Sequence, residues 1–179
     1  MNFIQKIIGG LLVTSSIALP VDATIERSRF EQYIRLAETI ELTGTDFQLN
    51  PPQCNRESNT YGWYNGHDNQ LVVCQEDAKF HNWNEVQWSE EDLDTLRHEA
   101  HHLVQDCMDN RLDGRLTVVY QDMPRMATQV LGYDKILKIL DVYSDLSDHA
   151  QLMEIEAFAV ADLNDPEEQI RDIHTYCLS

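Results

Sequence analysis

The chain has 179 residues and a net charge of −18, with 13 Lys and Arg against 31 Asp and Glu. Such an acidic surface repels the phosphate backbone of nucleic acids and anionic lipid headgroups, so neither is expected as a partner. Hydrophobic residues make up 42% of the sequence, enough for a packed core. No apolar run of about 18 residues is present, so no transmembrane helix is expected.

Met1 to Lys6 carries one positive charge, Ile7 to Pro20 is mostly apolar, and Val21-Asp22-Ala23 ends on a small residue. That order predicts a signal peptide over 1–23, cleaved after Ala23, and a single domain over 24–179. The chain would then be periplasmic or secreted, with no stable membrane insertion once the leader is removed. Four cysteines remain, Cys54, Cys74, Cys107 and Cys177. An even count in an exported protein implies two disulfides. Of the three pairings, Cys54–Cys74 around a hairpin with Cys107–Cys177 between two helix ends is favoured.

Phe30, Tyr33, Ile34, Ala37 and Ile40 recur every three or four residues and predict an amphipathic helix from about Ile25 to Leu42, closed by Gly44. Asn50-Pro51-Pro52 reads as an extended connection. Tyr61 to Tyr64 and Leu71 to Cys74 flank Asn65-Gly66 and predict a β-hairpin whose loop reaches toward Asn69. Ser89, with Glu90, Glu91 and Asp92 behind it, caps a helix running to Cys107 or Met108. A loop or short strand over Leu112 to Tyr120 precedes helices near Met126 to Leu131, Lys135 to Val142 and His149 to Leu163. Asn164-Asp165-Pro166 opens a last helix toward Tyr176. The fold class is α+β, mostly helical, with a small antiparallel sheet or hairpin packed on the Ser89 helix.

That helix carries His98-Glu99-x-x-His102. Residues four apart lie about 40° apart around a helix axis, so both imidazoles can reach one zinc ion while Glu99 addresses a water held there. With 7 His and 14 Glu in the chain, chance supplies only about 0.02 such matches. Leu93, Leu96, Ala100, Leu103, Val104 and Cys107 form the apolar stripe, and the two histidines lie nearly opposite, toward a cleft or solvent. His101, about 100° from His102, reads as a partly exposed polar residue. Gln105 and Met108 stand where a metzincin would have its glycine and third histidine, so a third ligand comes from elsewhere. The His149 helix offers Glu154 and Glu156, about 200° apart, of which one can face the metal. Glu156 lies close to the mean apolar direction, where a carboxylate needs a charge partner or a metal. It is therefore the expected ligand, with a buried ion pair to Arg97 or Arg125 as the alternative and Glu154 as solvated surface.

On His98-Glu99-x-x-His102 and the Glu-x-Glu-Ala stretch from Glu154, the chain resembles zincin metallopeptidases, and the gluzincin group in particular. The resemblance implies that His98, His102 and Glu156 hold one zinc ion. It implies that Glu99 is the general base of peptide-bond hydrolysis, and that the strand Leu71 to Cys74 lines the cleft and pairs with an extended peptide. Thermolysin-like members carry an Asp four residues after the ligand Glu; Val160 stands there instead, so a ligand histidine needs another partner, Asp106 or Asp162. Tyr120, Tyr143, His149 and His174 are candidates to stabilise the oxyanion.

Asp109-x-Arg111-x-Asp113-Gly114 fails as a calcium loop because Arg111 and Tyr120 occupy ligand positions. Trp63, Trp83 and Trp88 read as core residues before cleft residues. The expected function is an exported zinc metallopeptidase acting on peptide or protein substrates. The competing reading is a non-catalytic, zinc-binding, disulfide-stabilised secreted interaction module. Intact Glu99 favours the enzyme, since a structural site has no use for a base. Nothing in the sequence specifies the oligomeric state.

Overall fold

The structure, a computed structural model, describes residues 21–55, 60–75, 88–108 and 112–179. Most of the leader, Trp83, and Asp109 and Arg111 lie outside the described residues. Among those described, the element order is α1 (Val21–Leu42), β1 (Asp46–Leu49), a 3₁₀ turn (Pro52–Asn55), β2 (Gly62–Asn65), β3 (Gln70–Val73), α2 (Glu90–Cys107), α3 (Met123–Val142), α4 (Asp148–Leu163) and α5 (Pro166–Tyr176). The chain is mostly helical α+β, as the periodicities predict.

The expected hairpin forms between β2 and β3, with Trp63 opposite Val72. The Asn-Gly pair does not make a two-residue turn. Asn65 is the last strand residue, and its side chain accepts the backbone N–H groups of His67 and Asp68. The chain reverses over 66–69, with Asn69 at φ 48°. Gly66 serves close approach instead, since a Cβ there would lie 2.4 Å from the Cα of Gly114. A third strand, β1, was not legible in four alternating residues. It adds to β3 in parallel, so the order is β1-β3-β2 and the sheet is mixed rather than antiparallel.

Ser89 caps α2 reciprocally with Asp92, each side chain bonding the other's backbone N–H. The apolar stripe of α2 packs with Leu71 and Val73 of β3, Tyr33, Leu36 and Ile40 of α1, and Ile173 of α5. The α1 stripe is rotated from its predicted direction: Leu36 is fully buried, whereas Phe30 and Ile34 are exposed. Docking against α5 and the sheet selects Tyr33-Leu36-Ile40 from two overlapping stripes.

A second apolar cluster joins α3 to α4 through Met123, Ala127, Leu131, Ile139, Ile155 and Ala159. Gly132, at φ 70°, breaks α3 between the two helices the sequence predicts. The disulfides are Cys54–Cys74, with Cα atoms 5.5 Å apart, and Cys107–Cys177, with Cα atoms 5.1 Å apart. The first packs with Val72 and Trp63; the second ties the end of α2 to the end of α5. Trp88 packs against the main core. No helix among the described residues is long and apolar enough to cross a membrane.

Candidate metal centre

The side of α2 that faces away from the sheet is covered by α4, so the motif histidines are not open to solvent. His98 and His102 are 8% and 5% exposed. One helical turn sets their Nε2 atoms 3.1 Å apart. Two facing ring nitrogens can share at most one hydrogen in neutral form, so a pair at this distance is suited to a common cation.

A carboxylate completes the group. Glu154 Oε2 lies 3.3 Å from His98 Nε2, and Glu154 Oε1 lies 3.5 Å from His102 Nε2. Burial alone would raise the Glu154 carboxyl. Hydrogen bonds and charges from His102 and His98 outweigh it and hold Glu154 well below the usual carboxylate range. His102 responds in kind. Burial disfavours its charge, but Glu154, Glu99 and Gln105 push the metal-free imidazole up to about 9.

Glu99 is 7% exposed, and its carboxylate lies with the two histidines in a group of donor atoms, all within 4.8 Å of one another, that could hold a metal ion. Burial is the largest influence on Glu99 and holds it above its ordinary value, against the opposing charges of His98 and His102. The backbone N–H of Tyr64 donates to it from β2. That approach depends on Gly62. A Cβ there would lie 2.6 Å from both Thr95 Cγ2 and the Val72 carbonyl, and 3.3 Å from Glu99 Cγ.

The assignment of the two glutamates is reversed from the sequence expectation. Glu156 is fully buried but faces His101 and the 119–120 backbone, not the His98–His102 pair. Its carboxylate accepts the N–H groups of Val119 at 3.0 Å and Tyr120 at 2.9 Å, and the amide of Gln105 at 2.9 Å. Its partners among the described residues are therefore amides and an imidazole, and neither Arg97 nor Arg125 is one of them. Arg97 pairs with Asp94 and Arg125 with Asp122. Burial would raise Glu156; His101, the Tyr120 amide and Gln105 bring it below its ordinary range. His101 is 1% exposed rather than partly exposed; burial lowers its pKa, and its ring stacks on Tyr120 with centroids 6.1 Å apart.

The strand expected to pair with a peptide is in the wrong place for it. β3 is the central strand, its edges occupied by β1 and β2, and β2 is the strand beside Glu99. Neither Asp106 nor Asp162 supports a ligand histidine. Asp106 accepts from the Tyr64 hydroxyl at 2.7 Å and the Gly114 N–H at 2.8 Å, and Asp162 accepts from Lys135. The group at His102 Nδ1 is Gln105 Oε1, at 2.8 Å. Its signal in the sequence was its place three residues after His102, on the same helix face.

Of the four hydroxyl and imidazole candidates, Tyr143 is the one beside the cluster. Burial, then the charges of Glu154 and Glu99, raise its pKa above the usual tyrosine range. Tyr120 donates to Asp172 at 2.9 Å, His149 Nε2 donates to the Leu116 carbonyl at 2.9 Å, and His174 is exposed on α5. Phe158 packs on the His98 ring with centroids 4.3 Å apart and lies 6.2 Å from the ring of Tyr143, closing one side of the group.

Residues 29–178 match the family model of DUF8637, a domain of unknown function. The chain belongs to that family. The match covers α2 and α4 whole, so the buried cluster lies inside the domain the family defines. Comparison with curated proteins and with solved structures finds no similar chain.

Proposed function

We propose that this chain is a zinc-dependent metallopeptidase in which His98, His102 and Glu154 hold the ion and Glu99 is the general base. The observation that carries the reading is the pair of Nε2 atoms 3.1 Å apart with the Glu154 carboxylate across both, Oε2 at 3.3 Å from His98 and Oε1 at 3.5 Å from His102. Zinc bonds of 2.0–2.2 Å to nitrogen and oxygen in a tetrahedron put neighbouring ligand atoms roughly 3.3–3.6 Å apart. Two imidazoles and one carboxylate leave a fourth position open, which is the arrangement of a catalytic rather than a structural zinc site. When bound, zinc supplies Lewis acidity that acidifies water and polarises a carbonyl.

The chain's own groups have separate tasks in this reading. Glu99, raised by burial and oriented by the Tyr64 N–H, accepts the proton of the attacking water and passes it to the leaving nitrogen. The Tyr143 hydroxyl, kept protonated by burial and its acidic neighbours, donates to the oxyanion that develops on the attacked carbonyl. Phe158 and the α3–α4 cluster keep that side of the group dry. The signal-like sequence over 1–23 and the two disulfides support an exported setting.

The test is metal analysis of the full chain beside its His98→Ala and Glu154→Gln variants, with a mixed peptide library offered to each. The parent is expected to hold one zinc and to cleave peptides, and both variants to lose the metal. A parent that binds zinc stoichiometrically but cleaves nothing would make the non-catalytic module the better reading. A Glu154→Gln variant that keeps full zinc affinity would remove Glu154 from the ligand set.

A further inference from the structure

Gln105 is held in one orientation by acceptors on one side. Its Nε2 donates to the Met153 carbonyl at 3.1 Å and to Glu156 Oε2 at 2.9 Å. A carbonyl and a carboxylate accept only, so the amide cannot be turned over without setting its oxygen against both. Glu156 is itself fixed, because Val119 and Tyr120 donate backbone N–H groups to its Oε1 at 3.0 and 2.9 Å. Gln105 and Glu156 are both fully buried, so water offers no alternative partner. The Gln105 oxygen is therefore the atom that faces His102 Nδ1, at 2.8 Å. An acceptor there requires the proton on Nδ1. In the neutral ring the lone pair then stands on Nε2, the atom that faces His98 and Glu154.

We propose that Gln105, oriented by Glu156, is a positioning residue that selects the metal-binding tautomer of His102. The proposal rests on the metal-site reading above, and it gives the second glutamate of the Glu-x-Glu stretch a purpose of its own. The relay runs from the amides of the 119–120 loop through Glu156 and Gln105 to one ligand of the pair. His98 has no counterpart, since its Nδ1 is buried without a hydrogen-bond partner among the described residues.

The geometry makes an inverted outcome testable. In Glu156→Gln, the new amide keeps its oxygen on the two backbone N–H groups and turns its NH₂ toward Gln105. Gln105 must then either set its NH₂ against that NH₂ or flip and set its oxygen against the Met153 carbonyl; the flip, which lets it accept from the new amide, presents its NH₂ to His102 and moves the imidazole proton to Nε2. Competition with a chromophoric chelator should show zinc affinity falling about 10–100-fold, the range for loss of a group that orients a metal ligand. The double variant Gln105→Glu/Glu156→Gln returns an acceptor to His102 and should recover part of the loss, the Met153 carbonyl being left without its donor. Nitrogen-15 NMR of the metal-free chain, at alkaline pH where His102 is neutral, should read an Nδ1–H tautomer in the parent and Nε2–H in Glu156→Gln. Should Glu156→Gln fail to fold, Gln105→Met removes the acceptor at similar length and should lose affinity to the same degree. Unchanged zinc affinity in a folded Glu156→Gln or Gln105→Met variant, or no recovery in the double variant, overturns the proposal. If the parent takes up no zinc, the metal reading fails separately, and the NMR decides the relay: the same tautomer in parent and Glu156→Gln overturns it.

Discussion

Toward the sheet, α2 presents Leu93, Leu96, Ala100, Leu103 and Val104 to an apolar core. Toward α4 it presents His98, His101, His102 and Gln105, all buried, to Glu154 and Glu156, with Glu99 buried beside them against β2. The two sides hold the helix by different means. Apolar contacts on the first are non-directional and tolerate small shifts at modest cost. The polar groups on the second depend on specific partners, as Glu154 does on His98 and His102 and Glu156 on Gln105 and the 119–120 amides, and loss of a charge partner leaves the other charge buried and uncompensated. A chain selected for stability alone would gain nothing by keeping five polar groups where leucines would pack. On the proposed reading the α4 side carries the function and the sheet side holds the fold.

The comparison breaks most sharply at Glu99. Glu99→Gln should lower peptide hydrolysis about 10²–10⁴-fold while zinc content and melting temperature stay near the parent's. Parallel assays of turnover, bound zinc and thermal unfolding check it, and a variant that cleaves as fast as the parent would take Glu99 out of the catalytic role.

On the sheet side, Cys107→Ser with Cys177→Ser opens a loop between residues 70 apart. Chain entropy assigns that cross-link about 4 kcal/mol. Denaturant unfolding should show a loss of this order, with the zinc affinity of the folded fraction nearly unchanged. Leu103→Ala, at a fully buried position of the same core, should cost about 3 kcal/mol and likewise leave the affinity of the folded fraction unchanged. If either variant lowers zinc affinity in proportion to stability, the two sides of α2 are not separable.

The smallest expected effect is in pH dependence. In the metal-free chain the His102 pKa is raised to about 9 from an ordinary value near 6.5. The folded state then binds the proton more tightly than the unfolded state. The stabilisation is complete below about 6.5 and is lost as pH rises through about 9. Glu154 is shifted down, so its share is present above the ordinary carboxylate range and is lost as pH falls. Melting of the chelator-treated chain should therefore fall by a few degrees on the alkaline side. The zinc-loaded chain, whose ligand histidines are neutral, should not share that fall.

Much of this was legible in local pattern. The Ser89 cap, the stripe on α2, the break near Gly132 and the Asp165-Pro166 start of α5 each follow from a few adjacent residues. The spacing of His98 and His102 placed two imidazoles together because a helix turn is a fixed length. The cysteine pairing followed once the hairpin and the two helix ends were set. What failed was inference about direction in elements packed on two sides. The α1 stripe was misjudged because Phe30 and Ile34 extend the apolar arc past the part that docks. β1 was missed because four residues carry little period, and β3 supplies the partner that makes them a strand.

Glu154 and Glu156 show where the boundary lies. The sequence determined that α4 is a helix, that its two glutamates face different ways, and that a carboxylate could meet the histidine pair. It could not say which one. The mean apolar direction assumes one buried face, whereas α4 lies between α2 and α3 and is buried on both sides. Met153, Ala157 and Val160, fully buried, occupy the arc between the two glutamates, and Ile155 and Ala159 occupy the α3 side. The glutamates therefore border the α2 contact on opposite flanks. The lateral placement of α4 on α2, a tertiary quantity set by packing along both helices, brings Glu154 to His98 and His102 and leaves Glu156 to the 119–120 amides and Gln105.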